Sequence, residues 1–85
     1  MTIDQQIILR LIKYYILNHQ GCSSKDIKQF LAGYDWGLKK DFTSYEIGKL
    51  IMKCVSSKRN DAFVWFRKSV VIEKKYGNNV YFVKE

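Results

Sequence analysis

Residues 43–55 read TSYEIGKLIMKCV, and this stretch decides the fold because it has the pattern of an amphipathic helix. Its apolar side chains recur at i, i+3, i+4, i+7 and i+8, which makes one core-facing stripe of Ile47, Leu50, Ile51, Cys54 and Val55. Thr43 and Glu46 have the spacing of a capping box, in which each side chain accepts a hydrogen bond from a free backbone N–H. We therefore predict a helix over Ser44–Ser56.

Two more helices are predicted upstream of this one. Residues 2–19 have isoleucine and leucine at helical spacing, after a second capping-box pattern that begins at Thr2. Residues 24–32 form a shorter amphipathic helix, and Gly33 favours its end. The stretch 34–42 is predicted to be a loop that aromatic side chains anchor.

A β-hairpin is predicted downstream. Residues 70–72 and 80–83 are rich in β-branched and aromatic side chains, which favour strands. The sequence KKYGNN lies between them, and glycine and asparagine tolerate positive φ, so we place a turn at 76–79. The segment 62–66 is apolar on both faces and suits either a buried strand or a short helical turn. One further short strand is expected in that segment or in 20–24.

Length and composition bound the class of protein. The chain has 85 residues and no proline, low-complexity stretch or linker, which predicts a single domain over residues 1–85. Hydrophobic residues make up 47% of it, too many for a disordered tail. No stretch approaches the roughly 18 apolar residues of a membrane span. Cys22 and Cys54 are too few for a small secreted framework, so we expect reduced thiols, a cytoplasmic location and no membrane partner.

The charge balance is strongly basic. Fifteen lysines and arginines stand against eight acidic residues, for a net charge of +7. Residues 39–85 hold eleven of the basic side chains and five of the acidic ones, so most of the excess lies in the second half. Such an excess favours a polyanionic partner, although a merely solvated surface has the same composition.

The order of helix, helix, helix and hairpin resembles the winged-helix (winged helix-turn-helix) family of DNA-binding domains. The segments that carry the resemblance are SSKDIKQFLAG, TSYEIGKLIMKCV and VVIEKKYGNNVYFVKE. The resemblance implies a small α+β winged helix, with three helices followed by a C-terminal β-hairpin wing. It also implies that the third helix enters the major groove and that the wing touches the backbone or minor groove. Winged-helix modules of phage and plasmid replication proteins are a weaker likeness.

One departure from a tight helix-turn-helix concerns the connection between the second and third helices. Such motifs use three or four residues there, whereas here eleven residues, from Ala32 to Phe42, separate the helices. A connection of this length fixes neither the angle of the third helix nor whether that helix reads bases.

The exposed face of the third helix carries the first set of candidate DNA contacts. Lys49 and Lys53 lie one turn apart, and Tyr45 extends their row, so the lysines can neutralise phosphates unless they are only a solvated face. Ser44 lies at the helix N-terminus, where free N–H groups attract phosphate. Gly48 costs about 1 kcal/mol relative to alanine within a helix, which favours either close approach of a ligand or packing against another backbone.

The predicted wing carries the second set, which joins basic and amide side chains on a projecting hairpin: Lys74, Lys75, Tyr76, Asn78 and Asn79. Such side chains suit a phosphate track or the minor groove. Lysines also protect an exposed strand edge from aggregation, which is the alternative interpretation. Because every basic side chain in both sets is lysine and none is arginine, we expect phosphate contacts with little base discrimination.

Catalysis has little support in this sequence. His19 and two distant cysteines build neither a metal site nor a nucleophile dyad, and no phosphate-binding glycine loop is present. We therefore predict no enzyme activity, no metal and no cofactor.

The function predicted from the sequence is double-stranded DNA binding by a transcription regulator or by a replication or transfer accessory protein of a mobile genetic element. Two alternatives are a winged helix that docks a replication or transcription protein, and a binder of RNA or single strands. The apolar side chains of Ile7, Ile8, Leu9 and Leu17 exceed one core stripe, which indicates either a homodimer through the first helix or additional core burial.

Overall fold

The computed structural model describes residues 2–33, 35–58 and 63–84. Over these ranges the chain is α+β, as predicted, with four helices and a three-stranded antiparallel sheet. The elements in chain order are α1 (Ile3–Asn18), β1 (Cys22–Ser23), α2 (Ser24–Ala32), α3 (Ser44–Ser56), α4 (Phe63–Ser69), β2 (Val70–Lys75) and β3 (Asn78–Val83).

Capping fixes where three of the helices begin. Reciprocal side-chain and backbone hydrogen bonds form at the pairs Thr2–Gln5, Ser23–Asp26 and Thr43–Glu46. The first and third pairs confirm the predicted capping boxes, and α2 has a third box in which an aspartate takes the place of the usual glutamate. The predicted bounds of the second and third helices agree with α2 and α3.

The segment left open at 62–66 is helical from Phe63 onward. α4 follows α3 and runs directly into β2, so a fourth helix precedes the hairpin where the prediction had three. Phe66 lies buried in the core, and the Nη1 of Arg67 donates to the carbonyl of Ser57 at 3.0 Å. Burial against α3 therefore decides a local choice that the sequence pattern left undecided. Ala62 lies outside the described residues.

The sheet has the order β1-β3-β2, and β3 is its central strand. β2 and β3 pair from Val70–Val83 to Lys75–Asn78, which leaves a two-residue turn. Both turn residues have positive φ, 53° at Tyr76 and 80° at Gly77, as the mirror-image turns of tight hairpins require. The predicted turn at 76–79 was therefore placed too far along, because both asparagines belong to β3. β1 is the short strand that was expected in 20–24.

The core lies between the helices and the inner face of the sheet. Its fully buried members include three isoleucines of α1, two of α3 and the ring of Tyr81: Ile8, Ile12, Ile16, Ile47, Ile51 and Tyr81. No buried polar or charged residue occurs within the described ranges. Ile8 and Leu9 are both buried, which gives the excess apolar side chains of α1 a core role, whereas Leu17 is exposed.

Candidate nucleic-acid interface

A groove of about 600 Å³ opens between α3, the β2–β3 hairpin and the N-terminus of α2. Its lining residues come from all three elements: Ser23, Ser24, Lys25, Ser44, Tyr45, Gly48, Lys49, Met52, Lys74, Gly77, Asn78, Asn79 and Tyr81. We call this feature the groove. It brings together elements that are far apart in the sequence.

Seven of the ten predicted contact residues line the groove: Ser44, Tyr45, Gly48, Lys49, Lys74, Asn78 and Asn79. The two predicted sets, one on the third helix and one on the hairpin, therefore face a common space. Lys53, Lys75 and Tyr76 are exposed but do not line it. Lys53 lies one turn beyond Lys49 on α3, and the other two lie where β2 meets the turn.

The α3 wall of the groove is one helical stripe. Tyr45, Gly48, Lys49 and Met52 follow the spacing i, i+3, i+4, i+7, which places them on one face. Tyr45 is 71% exposed, and the Nζ of Lys49 lies 5.3 Å from the centroid of its ring. The stripe thus presents an aromatic ring and an ammonium group side by side.

The hairpin wall is polar and basic. Lys74 pairs with Asn79 across the two strands, so their side chains share one face of the hairpin. Tyr76 projects from the turn and is 92% exposed, with the Nζ of Lys75 5.9 Å from its ring centroid. The tip of the hairpin therefore carries a second tyrosine–lysine pair, outside the groove.

The floor of the groove is formed by Ser24, Gly48 and Tyr81. The Oγ of Ser24 and the hydroxyl of Tyr81 lie 2.7 Å apart and share a hydrogen bond. Burial raises the pKa of Tyr81 above its ordinary value, and the hydrogen bond to Ser24 partly offsets that rise. A Cβ at Gly48 would lie 3.1 Å from the Ser24 Oγ, so the close neighbour of this glycine is a side chain and not a backbone.

Sequence reasoning missed the contribution of α2. Ser24 and Lys25 line the groove at the start of α2, and Tyr81 reaches it from the central strand. The sequence showed where α2 begins, but nothing in it placed that end against α3. Met52 was not among the predicted contacts, although its spacing from Tyr45 puts the two on one stripe.

The lysines of the groove are not neutralised by any acidic side chain that the structure describes. Lys25, Lys49 and Lys74 form no ion pair with any residue that the structure describes. Lys28 and Lys40, by contrast, pair with Asp41 and Glu46. Three ammonium groups on three different elements therefore line one concave surface, which raises the local positive potential.

The described ranges hold neither a metal-ligand cluster nor a membrane-spanning helix. They contain no group of three or more His, Cys, Asp or Glu side chains that could hold a metal ion. None of the helices there has the length and apolarity that crossing a membrane requires.

Comparison with known proteins finds no significant match to this chain. The chain matches no protein-family model, no curated protein and no solved structure at a significant level. The case for function therefore depends on the chemistry of the groove.

Proposed function

We propose that this chain binds double-stranded DNA as a winged helix, with α3 in the major groove and the β2–β3 hairpin as the wing. The observation that carries the proposal is the convergence of Lys25, Lys49 and Lys74 on one groove between the two elements that the resemblance assigns to DNA. Lysine ammonium groups act as point charges on phosphates and release counterions. We expect contacts with the phosphate backbone of DNA to dominate and discrimination between bases to be weak.

The cellular role that we propose is regulation of transcription, or an accessory step in the replication or transfer of a mobile genetic element. A small basic domain suits either role, because both roles need placement on DNA. We propose a cytoplasmic location on the same grounds.

A second candidate is docking of a replication or transcription protein. Tyr45 is 71% and Met52 45% exposed on the same stripe of α3, and both residue types are enriched in protein interfaces. An adaptable methionine beside an aromatic ring suits a protein surface better than a phosphate track. The absence of nucleic-acid binding at low salt would favour this candidate.

The test is fluorescence anisotropy of labelled duplex and single-stranded DNA over a range of salt. The double variant Lys49→Ala, Lys74→Ala should weaken duplex binding and reduce the salt slope by about one per lost phosphate contact. Its matched control is Lys68→Ala, Lys84→Ala, which removes the same charge from exposed positions outside the groove. Equal losses of duplex affinity in both variants would mean that the groove lysines act only through the overall charge of the chain. Tighter binding of single strands than of duplex would contradict the proposal.

A further inference from the structure

We infer that the floor of the groove is a phosphate subsite, in which the hydroxyl of Ser24 donates to a non-bridging oxygen of one DNA phosphate. This inference rests on the proposed function, because it names the group that the groove holds. It adds a neutral, directional contact beside the three lysine charges of the groove.

The two hydroxyl groups at the floor have more protons than the hydrogen bond between them uses. Ser24 and Tyr81 have one hydroxyl proton each, and only one of the two can lie in the 2.7 Å hydrogen bond between them. No other hydrogen bond of either hydroxyl group occurs within the described ranges. One proton is therefore left to donate to a group outside the pair.

Burial decides which hydroxyl faces the groove. Tyr81 is fully buried, whereas Ser24 is half-buried at the start of α2. We therefore assign Tyr81 as the donor to the Ser24 Oγ, and Ser24 as the donor into the groove. A hydroxyl that already accepts a hydrogen bond is a stronger donor, since hydrogen bonds in a chain polarise one another.

Gly48 keeps this donor within reach. A Cβ at that position would lie 3.1 Å from the Ser24 Oγ and 3.6 Å from the Tyr81 hydroxyl. A side chain there would cover the pair from the α3 side. Glycine is unfavourable inside a helix, so access to the floor gives its presence in α3 a physical reason.

The charged side chains near Ser24 favour an anion as the group that accepts a hydrogen bond from its hydroxyl. Lys25, Lys49 and Lys74 line the same groove without an ion-pair partner among the described residues. The carboxylate of Asp26, in the first turn of α2, accepts from the backbone N–H and the hydroxyl of Ser23 and does not line the groove. A phosphate bound in this groove would therefore share it with lysines from three different elements.

The subsite has a signature that separates it from the lysine contacts. A neutral hydroxyl releases no counterion from DNA, so its loss should lower affinity without changing the salt slope. Loss of a lysine contact should change both affinity and slope. Hydrogen bonds to charged groups contribute more than those between neutral groups, and we expect about a ten-fold loss in affinity.

The experiment compares duplex affinity across salt for the unmodified chain and for three variants. Ser24→Ala removes the proposed donor but leaves the Tyr81 hydroxyl buried without its partner. The double variant Ser24→Ala, Tyr81→Phe removes both hydroxyls and so avoids that cost. Tyr14→Phe is the control, because Tyr14 is exposed on α1 and does not line the groove. Circular dichroism melts report whether each variant is folded.

The expected result is about a ten-fold weaker affinity in both Ser24 variants, with unchanged slope and with Tyr14→Phe at the original affinity. Unchanged affinity in both Ser24 variants overturns the subsite while the proposed function stands. Recovery of affinity in the double variant also overturns it, since the loss would then come from a disturbed floor. If the unmodified chain binds no duplex at low salt, the proposed function fails and the subsite fails with it.

Discussion

Asp4 accepts a hydrogen bond through its Oδ2 from the backbone N–H of Lys39, 35 positions later in the chain, at 3.0 Å. The same oxygen accepts from the N–H of Lys40 at 2.9 Å. The Lys40 ammonium in turn pairs with Glu46 in the first turn of α3. The start of α1 therefore holds the long connection that leads into α3, and this contact helps to set the angle of that helix.

Replacing Asp4 should test this contact directly. Asp4→Ala removes the acceptor for two backbone N–H groups and should lower the free energy of unfolding by about 1–2 kcal/mol. Asp4→Asn keeps an amide oxygen in place and should lower it by less. Urea unfolding measures both, with Asp35→Ala as the control, because among the described residues Asp35 accepts a hydrogen bond from the nearby N–H of Gly37 alone. Equal effects of the alanine and asparagine variants would contradict an oriented acceptor at this position.

Gly48 allows a second prediction, in which two effects oppose each other. Gly48→Ala gains about 1 kcal/mol of helix propensity but forces a 3.1 Å contact with the Ser24 Oγ. We expect little net change in unfolding free energy and a clear loss of duplex affinity. In the Ser24→Ala background the close contact is gone, so the same substitution should stabilise the chain by up to about 1 kcal/mol. Additive effects in this double-mutant cycle would mean that the two residues do not interact.

The helices that the sequence predicted best are those whose signals are local. A capping box needs only four consecutive residues, and the boxes at Thr2 and Thr43 begin α1 and α3 as predicted. α4 had no such signal, because 62–66 is apolar on both faces and only burial of Phe66 resolves it. The turn was misplaced because a tyrosine occupies a positive-φ position at which asparagine or glycine is the usual signal.

The groove, too, was predicted only where its signals are local in the sequence. Helical spacing placed Tyr45 and Lys49 on one face of α3, and the predicted hairpin carried Lys74 and Asn79. The pairing of those two residues across the strands was not predicted, because the turn was placed at 76–79. Ser24 was missed because its approach to Tyr81 joins residues 57 positions apart. The eleven-residue connection between α2 and α3 carries no periodic pattern that would fix this distance.

The first turn of α3 gives a prediction for pH dependence. The Lys40 ammonium holds the pKa of Glu46 below its ordinary value of 4.5, and the backbone N–H of Thr43 lowers it further. A carboxyl whose pKa is lower in the folded than in the unfolded chain stabilises fully above the unfolded value, and this contribution is lost as pH falls through the folded value. Carboxyl-carbon NMR should therefore show the pKa of Glu46 rising in Lys40→Ala and unchanged in the control Lys39→Ala.

The stability curve of Lys40→Ala provides a second readout. Its unfolding free energy should vary less with pH below about 4.5 than that of the unmodified chain, because less of the pKa difference remains. The same pH dependence in both chains would assign the lowered pKa to Thr43 and to the helix N-terminus.

Tyr76 has a strained backbone conformation and an exposed side chain, and neither feature stabilises the fold. Its φ of 53° is a conformation that disfavours an aromatic residue by about 1–2 kcal/mol, whereas asparagine tolerates it. Tyr76→Asn should therefore raise the free energy of unfolding by about 0.5–1 kcal/mol. Tyr76→Ala, which keeps the strain, should not raise it.

Duplex binding should move in the opposite direction. Tyr76 is 92% exposed at the tip of the proposed wing, and backbone strain of this kind clusters at binding sites. We expect Tyr76→Asn to bind duplex more weakly although it unfolds at a higher urea concentration. A more stable variant with unchanged affinity would remove Tyr76 from the interface and limit contact to the residues that line the groove.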